Sequence, residues 1–259
     1  MFGGMKSQSQ FLRIFLPVAT AALLGAALPS LAQPGRGPMG AGPSGPNFDA
    51  AMTKLFGEHQ SFSATLQLQT DGGQGRQVTM TGKFACLEGK TRFEMDMASM
   101  QGANMQPQAL ARMKQMGLDK IVAVAWPEKK VNYMLYPGMS AYVEMPLQNA
   151  GATPKASDYK VDVTEQGSDT VDGHPCTKNK VVVTGPDGAT HESTVWNATD
   201  LDKFPVKIET GEGGQKMTML FKDVKLDKPD ASLFEPPTDY KKYDNMMQLM
   251  MSRAGAMQH

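Results

Sequence analysis

From Phe62 onward the hydrophobic period of this chain is two residues. Phe62, Ala64, Leu66 and Leu68 alternate with Ser63, Thr65, Gln67 and Gln69; Val78, Met80, Phe84 and Cys86 alternate with Thr79, Thr81 and Lys83; Phe93, Met95 and Met97 alternate with Arg92, Glu94 and Asp96. Successive side chains of a strand point to opposite faces, so this pattern describes antiparallel-type strands with one greasy and one wet face. Glu88-Gly89 is the tight turn between the second and third runs. Ile121–Trp126 is apolar on both faces, as in a strand covered on both sides. Pro127-Glu128-Lys129 turns it into Val131–Leu135, and Pro137-Gly138 turns that into Tyr142–Met145. Residues 146–158 read as a loop, after which Tyr159, Val161 and Val163 start another strand. Two further hairpins flank Gly185-Pro186-Asp187-Gly188 and Gly211–Gly214. About 11 strands in meander order and few helices predict an antiparallel barrel or a strongly curved sheet.

Helical periods occur outside the strands. Asn47 is an N-cap residue, Phe48, Ala51, Met52, Leu55 and Phe56 follow at helical spacing, and Gly57 stands where a helix ends. Asn104–Met116 reads as a short helix with Leu110, Met113 and Met116 on one side. Tyr240, Tyr243, Met247, Met250 or Met251, and Ala254 form a third stripe.

The N-terminus predicts export. Lys6 and Arg13 form a basic region, Ile14–Leu28 an apolar run, and Ser30-Leu31-Ala32 a cleavage site, so the mature chain starts at Gln33, in the periplasm. The run is short for a span and Pro17 interrupts it, so no stable membrane anchor is expected. The segment 33–46 is a Gly/Pro linker. Residues 47–240 form the β domain, and 241–259 a Met-rich helix or tail. Of 26 basic residues Lys6 and Arg13 leave with the signal, so 24 face 26 acidic ones, a net of −2 that does not suit nucleic acid. In an oxidising compartment Cys86 and Cys176 invite a disulfide; the alternative is two buried thiols that never meet.

Catalytic chemistry is not evident. His59, His174, His191 and His259 lack zinc-ligand spacing, and there is no nucleophile elbow and no phosphate-cradling loop. No catalytic residue, cofactor or metal site is therefore expected. The 21 methionines are the unusual component, because Met fits one apolar surface to several shapes. Met80, Phe84, Phe93, Met95, Met217, Met219 and Phe221 give the strands a flexible greasy face. Met246, Met247, Met250, Met251 and Met257 with His259 raise Cu(I) binding as an alternative, since thioether sulfur is a soft ligand.

Several short motifs share the order and spacing of a known group. They are Gly89-Lys90-Thr91-Arg92-Phe93-Glu94; Trp126 to Tyr133; Tyr142; Gly173-His174-Pro175-Cys176-Thr177-Lys178; Val195-Trp196; Phe204-Pro205-Val206-Lys207; Phe221-Lys222-Asp223-Val224; and Leu233-Phe234-Glu235-Pro236-Pro237 with Tyr240. Through them, residues 63–240 resemble the superfamily of periplasmic lipoprotein carriers and outer-membrane lipoprotein-sorting proteins, the LolA-like fold. The resemblance implies a mainly β protein: a single unclosed antiparallel β half-barrel whose concave face is covered by a few helices. It also implies that this face shelters acyl chains or another lipophilic small molecule. Leu66, Leu68, Val78, Met80, Phe84, Phe93, Met95, Trp126, Tyr133, Met217, Met219 and Phe221 are the expected ligand-binding residues. Phe48, Met52, Leu55, Phe56, Leu110 and Met113 are the expected lid. The carriers hold their lid closed with an Arg that has no assignable counterpart here, and Cys86 and the Met-rich tail also depart from the pattern. A protein-interaction or envelope-sensing module, with an envelope protein as partner, is the alternative on the same fold.

Overall fold

A computed structural model describes residues 50–71, 77–103, 106–147, 156–212 and 215–256. The expected signal peptide, the linker and Phe48 lie outside the described residues, as do Met257 and His259.

The eleven strands expected from the alternation are all present. They are β1 (Ser61–Asp71), β2 (Gln77–Leu87), β3 (Lys90–Asp96), β4 (Lys120–Trp126), β5 (Val131–Tyr136), β6 (Ala141–Pro146), β7 (Lys160–Val171), β8 (His174–Thr184), β9 (Thr190–Ala198), β10 (Phe204–Glu212) and β11 (Gln215–Lys225). A twelfth, β12 (Lys241–Tyr243), has three residues. All belong to one sheet, in the order β12-β6-β5-β4-β3-β2-β1-β11-β10-β9-β8-β7, with β12 and β7 as its two open edges. The mainly β, unclosed antiparallel sheet is therefore the architecture observed; among the described residues only the β12–β6 pair is parallel. β1–β6 meander one way and β7–β11 back, joined where β1 pairs with β11 from Ser63–Lys225 to Thr70–Met217.

The link from β6 to β7 shows why the sheet must curl. It runs from Pro146 to Lys160 yet joins the second strand to the twelfth. Fourteen residue steps reach at most about 50 Å fully extended, while ten strand spacings of a flat sheet measure about 48 Å. The link is not fully extended, because it turns through a 3-10 segment at Ala156–Asp158 that packs against α1 (Ala50–Lys54). Curvature shortens the crossing.

Register assigns each side chain to a face. Leu66 pairs with Gly82 and Phe221, Gly82 with Met95, and Met95 with Ile121. Phe62, Ala64, Leu68, Phe84, Phe93, Met219 and Ile208 share this inner face and are buried. The outer face has a smaller apolar cluster on β2 to β5: Ala85, Leu87, Val122, Val124, Trp126, Tyr133 and Leu135, under Phe234. Phe234 arrives on the 3-10 turn Ala231–Phe234, capped by the Asp230 carboxylate, which accepts from Ser232 N–H at 2.8 Å. Arg92 donates to the Leu233 carbonyl at 3.0 Å and pairs with Glu94 at 3.2 Å, holding this outer cover to β3.

Turn chemistry sets these registers. Glu88 and Gly89 have φ of 49° and 85°, the two left-handed positions of a two-residue hairpin. Asp172 and Gly173 repeat the device between β7 and β8, at φ of 51° and 90°.

Gly82 makes room at the centre of the inner face. A Cβ there would strike the Glu94 carbonyl and come within 2.7 Å of Phe93 Cε2. Gly82→Ala should therefore destabilise the fold by about 1–3 kcal/mol, as overpacking does, read from the urea midpoint. A neutral or stabilising result would show that β2 and β3 do not approach this closely.

Candidate functional site

The inner face is the surface on which the helices lie. Leu66, Leu68, Phe84, Phe93, Met95, Met219 and Phe221 are buried there, and Val78, Met80 and Met217 are half-buried. These ten expected site residues do share one face. Trp126 and Tyr133 do not. Thr91 pairs with Ala125, and Ala125 with Asn132, so Trp126 and Tyr133, one residue on from each, turn to the outer face. β4 is apolar on both sides, and its period cannot say which alternate set faces in.

Two helices cover the inner face in different ways. α1 is followed by turns in which Leu55, Phe56 and Gly57 donate back to Met52, Thr53 and Lys54, and Gly57 ends the run at φ 57°. Leu55 and Phe56 are buried, and Met52 packs half-buried beside them. Phe56 enters a cluster of rings: its centroid lies 5.1 Å from Phe62, 5.5 Å from Phe221 and 6.0 Å from Phe204. Phe62 in turn lies 4.8 Å from Phe204 and 5.6 Å from Phe84. Offset and edge-to-face pairs at these distances add about 0.5–1.5 kcal/mol each beyond their buried area. His59 seals the rim, with Nε2 2.9 Å from the Asp202 carbonyl. Beneath α1 there is a gap of only about 10 Å³, lined by Thr53, Phe56, Phe62, Phe84 and Cys86 among others.

α2 (Pro107–Gln115) is held more loosely. None of its residues is fully buried; Leu110, Met113 and the following Met116 pack half-buried against the inner cluster. Gly117 follows at φ 72°, and a Cβ there would collide with the backbone of Gly138. The C-terminal end of α2 is thus fixed at Gly117 and Leu118, which is buried, while its body rests on the core by three flexible side chains.

α3 (Met246–Ala256) closes the far side. Asn245 caps it, accepting from Gln248 N–H at 2.8 Å, and Leu249 is buried in the inner cluster. Met246, Met247, Met250 and Met251 are exposed. They form two pairs four residues apart along α3. No cluster of three or more His, Cys, Asp or Glu that could hold a metal occurs among the described residues.

Of the two readings of the cysteines, the structure has the separate buried thiols. Cys86 and Cys176 are both free and buried. They stand on β2 and β8, with β1, β11, β10 and β9 between them. Burial pushes the Cys86 thiol up to about 11, although a backbone hydrogen bond at Gly89 opposes it. Cys176 is also raised, by burial first.

No protein-family model matches the sequence, and a search of curated proteins finds no match. Solved structures give distant likenesses. The lipoprotein LppX of Mycobacterium tuberculosis is 11% identical, with TM-score 0.37, over 69% of this chain and 97% of that one. A LolA superfamily protein of Nitrosomonas europaea is 10% identical, with TM-score 0.37, over 71% and 94%. MucB in complex with MucA(peri) is 15% identical, with TM-score 0.36, over 74% of this chain and 61% of that one. No helix among the described residues is long and apolar enough to cross a membrane.

The buried thiol has a pH signature. An unfolded thiol ionises near about 8.5, so burial stabilises the fold fully below that pH, and the contribution is lost as pH rises towards about 11. Urea midpoints should fall between pH 8 and 10, and fall less in Cys86→Ala. At pH 8 the native protein should resist iodoacetamide at Cys86 and label in urea; equal labelling in both would refute the burial.

Proposed function

We propose that the protein is a periplasmic binding protein, not an enzyme, that carries a lipophilic ligand such as an acyl chain against the inner face, with α2 as the part that lifts. The observation that carries this reading is the unequal cover. A continuous Phe and Met surface lies under α1, which is locked by Phe56, and α2, which buries no residue completely. The export signal read from the N-terminal sequence supports the compartment.

The energetics favour a lid that opens. Fully burying a Leu or Met side chain gains about 1.5–3 kcal/mol, and Leu110, Met113 and Met116 are only half-buried. Lifting α2 then costs on the order of 2–4 kcal/mol, which leaves a minor open population. An acyl chain recovers far more: about ten methylenes return about 8 kcal/mol before association costs. The gap under α1 is too small for such a chain, so the chain takes the surface that α2 uncovers.

Lowering the cost of opening should raise apparent affinity. Leu110→Asn combined with Met113→Asn should bind a fluorescent fatty acid severalfold more tightly than wild type. Met80→Lys, on the half-buried part of the inner face, should weaken binding at least tenfold. Native mass spectrometry of protein purified without detergent should carry a mass that extracts as lipid. Delipidated protein that neither binds the probe nor gains thermal stability from it would overturn the carrier reading. A stoichiometric envelope protein in place of lipid would favour the interaction module.

A further inference from the structure

The outer face holds a cavity of about 260 Å³, much larger than the gap under α1. Its walls come from three places in the chain: the end of β4 and the turn after it, the paired strands β5 and β6, and residues 235–240. We infer that this cavity is a second binding site, independent of the inner face, for a neutral carbohydrate ring.

Four observations select that class. First, the walls are aromatic. Trp126 and the rings of Tyr133, Tyr142 and Tyr240 line the cavity, with Tyr133 and Tyr142 edge to face at 6.0 Å. Aromatic faces carry partial negative charge, which suits the C–H faces of a sugar ring. Second, both hydrogen-bonding senses are offered. Glu144 and Glu235 accept and Lys129 donates, and a sugar hydroxyl does both.

Third, the charge is balanced. Glu144 is paired with Lys242 at 2.8 Å, which leaves Lys129 against Glu235. A phosphate or a quaternary ammonium would find no net counter-charge here. The volume lies just under the usual range for drug-sized ligands, roughly 300–1,000 Å³, and so suits a single ring.

Fourth, the indole N–H of Trp126 is buried and has no hydrogen-bond partner among the described residues, and the residue as a whole is 8% exposed. An unmet buried donor costs about 1–3 kcal/mol. Lys129 Nζ stands 3.4 Å from the Trp126 ring centroid and also lines the cavity. A ligand oxygen that reaches this N–H recovers that cost.

The protein contains its own control. The second indole, Trp196, donates to Asp169 at 2.9 Å and does not line the cavity. In ¹H–¹⁵N spectra of the whole protein, titration with N-acetylglucosamine or methyl glucoside should move the Trp126 indole signal saturably and leave Trp196 in place. Glu235→Ala and Lys129→Ala should each weaken the response at least fivefold. Both residues sit at the exposed rim, and an unchanged Trp196 signal certifies the fold. No movement with either sugar, or equal movement of both indoles, overturns the proposal. So does movement with a proline-rich peptide, choline or phosphate but not with sugar. The inner-face reading is untouched by any of these outcomes, because the fatty-acid probe reports it separately.

Discussion

β1 and β11 pair along most of their length, and that ladder turns two meanders into one sheet. Without it, β1–β6 and β7–β11 would each be a half-sheet with an exposed apolar face. With it, Leu66 and Leu68 of β1 meet Phe221 and Met219 of β11 across the same face, and Phe62 brings Phe84 and Phe204 into one cluster with Phe56. The contacts join residues some 150 positions apart, so loop closure is costly and the central pairing is expected to form late. The site inherits this dependence, since its floor is built from both halves.

The sheet offers its two faces to different chemistry. The inner face is dominated by Phe and Met, with little to fix the orientation of a ligand. The outer face has aromatic side chains with polar tips, two carboxylates and an ammonium around a defined cavity. A greasy surface beneath a loosely held helix suits a cargo recognised by area; a small polar cavity suits one recognised by shape. The two faces meet in β4 and β5, whose alternate residues point to opposite sides: Ala123 and Met134 inward, Trp126 and Tyr133 outward.

Most of the architecture was legible from alternation, because a half-buried antiparallel strand writes its period directly into the sequence. All eleven runs became strands. What escaped was local. β12 has only three residues, too few to carry a period, and is held by Lys241 N–H donating to the Ser140 carbonyl. The start of β7 was legible in Tyr159, Val161 and Val163, but its run on to Val171 and the hairpin with β8 were not, because beyond Val163 the strand carries no apolar alternation. Its signal was the Asp172-Gly173 pair. Trp126 and Tyr133 were placed on the wrong face because a strand covered on both sides has no wet face to set the phase. The outer cavity was illegible for another reason: its walls come from segments about a hundred residues apart.

β7 also bears on the sheet as an object of finite width. A twelve-residue edge strand with exposed Val161 and Val163 is a template on which another copy could pair. Three carboxylates, on Asp162, Glu165 and Asp169, stand along it, and an irregularity between Glu165 and Gly167 breaks its ladder rhythm. The opposite edge is the short, lysine-bearing β12. Backbone amides that could recruit a thirteenth strand are thus interrupted on one side and few on the other, which works against edge-to-edge growth of the sheet.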